Sequence, residues 1–540
     1  MISHNRSTIV LLFIIPILAI GGPCLGSGPQ TAPLETRDDP PAEIDPNPTK
    51  TAPAAIVTRG VHTNVQVNVD RNGLDILGDA ANEPSIAVDP TNRHNITIGW
   101  RQFDNISSNF RQAGWAFSND GGRSWTFPGV LTPGIFRSDP VLDVDASGRV
   151  YYNSLRSEAT FFCEVFASDT SGYQWNSPVY AHGGDKQWMT VDRTGGVGGG
   201  NVYSHWNVSW SAVPGMDFNR STDLGASFDT PIAMPASPYW GTTTVGPDGT
   251  VYVVGVSWDG PHPISVARST TIADPGNPLG FDDSVSIDLG GEPVAFAGSA
   301  SPNPGGLHGQ VWIASDHSGT ATHGNLYVLG SVDPVGADPL DVHFTRSTDG
   351  GSTWSAPVRI NDDAQASNAW QWFGTLSVAP NGRIDVIWND NRNDPTGYDS
   401  ELFYSFSNDG GLTWSPGESL SPAFDPHVGW PNQEKIGDYY EMVSDRLGAD
   451  LAWSATFNGG QDLYYLRIGD RDCNDNGIGD SSEMDGDGDG IINACDNCPG
   501  VDNPRQFDRN FNGVGDACDT FIFGDGFEWA SDAAWGKVEP

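Results

Sequence analysis

Positive charge is scarce in this chain: 27 Lys and Arg stand against 68 Asp and Glu, a formal net charge of −41 over 540 residues. Such a surface repels phosphate backbones and acidic headgroups, which excludes nucleic acid and anionic lipid as partners. After the first residues no apolar run is long enough to cross a bilayer, so no membrane span is expected in the mature chain. Cysteine and methionine are rare, with 6 of each. Glycine, at 66, and tryptophan, at 19, are abundant instead. Apolar residues, at 37%, together with these glycines, are ordinary for a globular protein, which excludes a wholly disordered chain. Glycine-rich turns and few charges point to an all-β protein with smaller appendages.

The start of the chain reads as an export signal over residues 1–26. Arg6 precedes an apolar run from Ile9 to Ile20, and small residues follow, with cleavage expected after Gly26. Acylation of Cys24 is the alternative. Residues 27–64, proline-rich from Pro29 to Pro53, read as a disordered linker. Cysteine usage agrees with a secreted or cell-surface location. Cys473, Cys495, Cys498 and Cys518 allow three pairings, and the spacings of 22 and 20 residues favour Cys473–Cys495 and Cys498–Cys518. Cys163, among apolar neighbours, is expected to be a buried free thiol.

The middle of the chain repeats itself. Ser118-Asn-Asp120-Gly-Gly122-Arg-Ser124-Trp125, the segment Ser347 to Trp354 and the segment Ser407 to Trp414 share one pattern, with a weaker copy from Ser221 to Phe228. Physically each is a hairpin turn: the Asp accepts backbone N–H bonds, Gly takes a positive φ, and the aromatic packs beneath. These segments resemble the Asp-box (BNR) repeats of sialidase-like β-propellers, over residues 65–468. The resemblance implies turns on the face away from an active site.

A second repeat counts the blades. Alternating strands followed by a polar turn begin at Glu83, Asp139, Lys186, Trp240, about Gln310, Phe373 and Asp438, at propeller-like intervals of about 47 to 69 residues. Seven blades are expected, against the six of sialidases proper. The last repeat is one strand short, and an early strand around Val65 to Val69 would complete the ring.

Aligning the inner strands puts Glu83, Asp139, Lys186, Trp240 and Asp438 around the channel mouth, with Asp185, Trp188 and Trp372 close by. Carboxylates and aromatic faces on one mouth suit a glycan or another extracellular surface ligand. For a glycoside hydrolase of sialidase type, the resemblance implies three arginines for a substrate carboxylate, a tyrosine beside a glutamate, and an aspartate. Arg101, Arg137 and Arg392, Tyr439 with Glu434, and Asp139 are the matching positions. The departure is in the order of motifs: Phe136-Arg137-Ser138-Asp139-Pro140 follows the first Asp box and lacks the family's Ile-Pro pairing.

Residues 470–519 hold 13 acidic groups and 3 arginines. Three loops begin at Asp472, Asp485 and Asp508. Oxygen side chains fall at alternate positions: Asp472, Asn474 and Asn476; Asp485, Asp487 and Asp489; Asp508, Asn510 and Asn512. Gly477, Gly490 and Gly513 follow at position six, Asp480, Asn493 and Asp516 at nine, and Glu483, Asp496 and Asp519 at twelve. Alternating oxygens wrap a hard cation and the glycine permits the sharp turn, so Ca2+ is the expected cofactor. The helices of an EF-hand are absent. Cys495-Asp-Asn-Cys498-Pro499 and Asn503-Pro504 resemble thrombospondin type 3 repeats, which implies that calcium and disulfides replace a hydrophobic core here. Residues 520–540 form a further short tail.

Overall fold

The structure is a computed structural model and describes residues 51–519 other than 159, 258, 296 and 366, without the side chain of Trp210. The expected signal, the linker before residue 51 and the tail after residue 519 lie outside the described residues.

Seven antiparallel sheets follow one another along the chain as the blades of a β-propeller. Their inner strands are Ala80–Val88, Arg137–Val144, Trp188–Val191, Thr243–Val245, Trp312–Ser315, Gln371–Val378 and Glu441–Ser444. The seventh blade is completed from the other end of the chain. His62–Gln66 pairs with Asp462–Gly469, setting Asn64 opposite Leu466, and Ile56–Arg59 adds a further strand outside it. Closure by an early strand around Val65–Val69 was expected; the strand overlaps that segment and starts three residues earlier, and Val67 N also donates to Leu463 O. The strands at Thr51–Pro53, Ile56–Arg59 and His62–Gln66 also correct the linker, whose last part is ordered sheet.

Each inner strand has one residue in the left-handed region, among its first few residues or just ahead of it: Glu83 (φ 53°), Asp139 (45°), Lys186 (53°), Trp240 (55°), Gly309 (127°), Phe373 (58°) and Gly437 (101°). The register shifts at Glu83, Asp139 and Phe373, so these three are bulges that re-aim the chain at the axis. In blade seven the equivalent position is Gly437, one before the Asp438 read from the sequence. A Cβ there would come within 2.8 Å of the Glu83 nitrogen, so glycine is required where the ring closes.

The Ser–Asp turns are built alike. The Asp120 carboxylate accepts from Ser118 Oγ (2.7 Å) and Ser124 N (2.9 Å), while Gly122 N donates to Ser118 Oγ (2.9 Å). The same bonds recur at Asp223, Asp349 and Asp409. The second glycine lies on an aromatic ring of the preceding blade. A side chain at Gly122 would collide with Tyr465, and one at Gly411 with Phe344. These turns therefore join blades as well as strands. The core is rich in aromatic rings: Trp100, Trp206, Trp372, Trp388 and Trp453 are fully buried. Cys163 is a buried free thiol, as expected.

Candidate functional site

The left-handed positions aim charged side chains at the channel mouth, where they meet in one network. Lys186 Nζ lies 2.6 Å from Asp438, 3.2 Å from Asp139 and 3.9 Å from Glu83. Lys435 Nζ lies 2.7 Å from Asp438 and 3.4 Å from Glu83, and Arg101 Nε is 3.2 Å from Glu83. Exposure of these six residues is at most 4%. The network is a sealed floor, overlaid by the segment around Asn303. Asn303 Nδ2 donates to Gly437 O, and Leu307 N donates to Asp438 Oδ1.

Burial raises the cost of every charge here, and the opposite charges offset it unequally. Burial dominates at Glu83, whose carboxyl is raised to about 8 despite the cations around it. Asp185, enclosed in the same way, is raised to about 7. At Asp139 burial also pushes upward, but Lys186 and then Arg101 outweigh it and hold the carboxyl down at about 2. The Lys186 ammonium is held well above its ordinary value by the ring of acids, which overcomes its burial.

Six of the residues assigned to the mouth, Glu83, Arg101, Asp139, Asp185, Lys186 and Asp438, are thus brought together, and they form a clasp between blades. The tryptophans are packed inside. Trp188 meets Trp312 and Tyr439 edge to face, Trp240 packs on Tyr239, and Trp372 Nε1 donates to Ser400.

The arginines expected to converge lie in separate blades, each with its own acids. Arg101 faces Glu83, Arg137 pairs with Glu164 at 2.5 Å over the Phe166 ring, and Arg392 pairs with Asp390 (2.7 Å) and Asp362 (2.6 Å) over Phe403. The Tyr439 hydroxyl is buried and donates to Pro140 O at 2.7 Å, while the Glu434 side chain is exposed. Burial holds the Tyr439 phenol well above its ordinary value, the opposite of what a nucleophile needs.

Sequence reading missed a half-exposed aromatic row on the mouth rim. Tyr398 lies 4.7 Å from His427, and His427 lies 4.8 Å from Trp430. Both segments are irregular loops without a repeat, so only their proximity to inner-strand ends pointed to them.

The acidic tail folds into three loops of one design. The position-six glycine donates to the first carboxylate: Gly477 to Asp472 (2.7 Å), Gly490 to Asp485 (2.9 Å) and Gly513 to Asp508 (2.8 Å). At position twelve, Glu483 accepts from Asn476 and Asp519 accepts from both Asn510 and Asn512. In the second loop the carboxylate oxygens of Asp485, Asp487 and Asp489 lie within 4.8 Å of one another. Asp487 Oδ2 and Asp496 Oδ2 are buried there without a hydrogen-bond partner. An all-oxygen set with mutually repelling, orphaned acceptors fits a hard dication.

Position nine also braces the loop. Asp480, Asn493 and Asp516 each accept the N–H of position two (Cys473, Gly486 and Arg509, at 2.8–3.0 Å), so the side-chain oxygen clamps its own loop. The disulfides are Cys473–Cys495 and Cys498–Cys518, the pairing the spacing favoured. Ile491 and Ile492 are buried, a small apolar contribution in a segment expected to have none. The loops dock on the turn face of the propeller. Asp480 meets His94 at 3.0 Å, Arg123 reaches Gly490 O at 3.0 Å, and Phe511 packs on Tyr173.

Fold and tail together define a seven-bladed β-propeller that carries thrombospondin type 3 repeats. The family model for that repeat matches residues 471–506. No curated protein matches the chain. Among solved structures, a protein of unknown function from Dyadobacter fermentans is 15% identical, with 77% of this chain and 99% of that one covered and a TM-score of 0.42. The Hadza microbial sialidase Hz136 is 12% identical, covering 72% of this chain and 66% of that one at TM-score 0.39. The phage phi92 endosialidase is 10% identical, covering 78% and 69% at TM-score 0.41.

Proposed function

We propose that this is an exported, calcium-binding extracellular protein whose propeller recognises carbohydrate through the rim of its channel mouth. The observation that supports calcium most directly is the second loop, where three carboxylates face one another with orphaned oxygens beside them. Two disulfides support the extracellular location. Which residues would hold the ion follows from the loop design: positions one, three, five and twelve. There the ion would cancel repulsion and convert binding free energy into order of the tail.

For carbohydrate, the sealed floor moves the reading outward. Trp240 and Trp372 are packing residues, whereas Tyr398, His427 and Trp430 offer half-exposed faces on which sugar rings stack. The hydrolase alternative finds no supporting geometry, because each arginine is neutralised in its own blade and the tyrosine is buried. Glycan-array binding tests the reading: Trp430→Ala with Tyr398→Ala should abolish signal at unchanged melting temperature. Retained binding would remove the rim assignment. Turnover of a fluorogenic sialoside by the wild-type protein would restore the hydrolase.

A further inference from the structure

Below the charged floor the axial channel widens into a cavity of about 440 Å³, within the roughly 300–1,000 Å³ of small-molecule sites. It runs towards the turn face, where Pro90, Pro380 and Asp475 border it. Its girdle follows from the same backbone pattern. Four residues beyond the left-handed position stand Asp143, Thr190, Thr244, Ser377 and Glu441, and each lines the cavity. Blades two, three, four, six and seven thus contribute two carboxyls and three hydroxyls to one ring.

The two carboxyls differ. Asp143 is satisfied: it accepts from Thr190 Oγ1 (3.1 Å), Val191 N (2.7 Å) and Val144 N (2.8 Å), and Arg193 approaches to 3.7 Å. Asp475 at the opening has Arg446 at 3.6 Å. Glu441 has no such partner. Its Oε2 accepts from Ser85 Oγ and Ile86 N, and among the described residues no cation lies within ion-pair distance of it. Elsewhere in the lining the Ser315 and Ser444 hydroxyls have no hydrogen-bond partner, and Trp188 and Trp312 add apolar surface. Burial raises the Glu441 carboxyl to about 8 against the Ser85 and Ile86 hydrogen bonds, with nearby Asp143 adding to the shift and the more distant Arg193 opposing it.

We propose that the axial channel is a binding site for a small amine that also carries hydroxyl groups, its ammonium against Glu441 and its hydroxyls against the Thr190, Thr244 and Ser377 ring. An ammonium supplies the missing countercharge where a carboxylate is costly to leave alone. Hydroxyls match a girdle that both donates and accepts.

Calorimetry on the full exported chain tests this, with glucosamine as probe and glucose as its uncharged counterpart. Glucosamine should bind at millimolar concentration and glucose at least about tenfold more weakly, and Glu441→Gln should cost glucosamine at least about tenfold. Absence of glucosamine binding, equal binding of glucose, or an unaffected Glu441→Gln would overturn the proposal. Should that variant fail to fold, Ser377→Cys replaces it. A cationic methanethiosulfonate should then label the new thiol at least about tenfold faster than an anionic one of similar size. Equal rates would overturn the proposal too.

Discussion

Lys186 of blade three and Asp438 of blade seven meet at 2.6 Å across the channel mouth, so the ring is clasped by charge as well as by the shared seventh blade. Both groups are almost wholly buried; Lys186 is the largest compensation for the water lost around Asp438, while Lys186 itself is compensated by Asp139 and then by Asp438. Lys186→Met therefore leaves Asp139 and Asp438 under-compensated. It should lower unfolding free energy by about 3–5 kcal/mol in urea titration. A loss below 1 kcal/mol would show that Lys435 and Arg101 suffice.

Calcium removal should act on the tail before the propeller. Chelation is expected to open residues 472–519 to protease, because mutual repulsion of carboxylates within 4.8 Å is then unopposed, while the propeller transition moves little. Asp485→Ala with Asp487→Ala and Asp489→Ala should remove about one ion from the titrated stoichiometry. Limited proteolysis and calorimetry check both outcomes.

The repeated turns should not be equally costly to break. Asp120 is buried and tied to the tail-bearing blade, where Arg123 and Gly121 also hold the docked loops. Asp349 sits in an exposed turn. Asp120→Ala is expected to cost about 1–3 kcal/mol and to loosen the tail, and Asp349→Ala less than 1 kcal/mol. Denaturant midpoints of the two variants decide it.

Asp462 gives a pH dependence of definite sign. Burial, reinforced by Asp75, raises its carboxyl from 3.8 to about 7. The folded chain then holds a proton that the unfolded chain has released. Its contribution is complete below about pH 3.8, falls as pH rises, and is gone above about 7, at up to about 1.4 kcal/mol per pH unit. Asp462→Asn should flatten that part of the stability profile. An unchanged slope between pH 4 and 7 would place the effect on other groups.

The local patterns were legible because they are made by neighbours in sequence. A turn such as Ser118 to Trp125 closes through bonds spanning only a few residues, and each acidic loop folds around its own first carboxylate. Repetition of the turns announced a propeller, the inner-strand repeat its seven blades, and cysteine spacing the two disulfides. Inner-strand alignment even brought Glu83, Asp139 and Lys186 to one mouth.

What those residues do there was decided by tertiary structure. Opposite charges from blades one, two, three and seven meet only when the ring closes, and once closed they exclude water and satisfy one another. The sequence marks a carboxylate, an arginine or a tryptophan, but whether it faces solvent depends on what packs above it. The segment around Asn303 covers the floor, and Trp188, Trp240 and Trp372 disappear into the core. Position nine of the acidic loops shows the same limit: the residue type suits a ligand, and only the folded loop shows its oxygen also clamping the backbone N–H of position two.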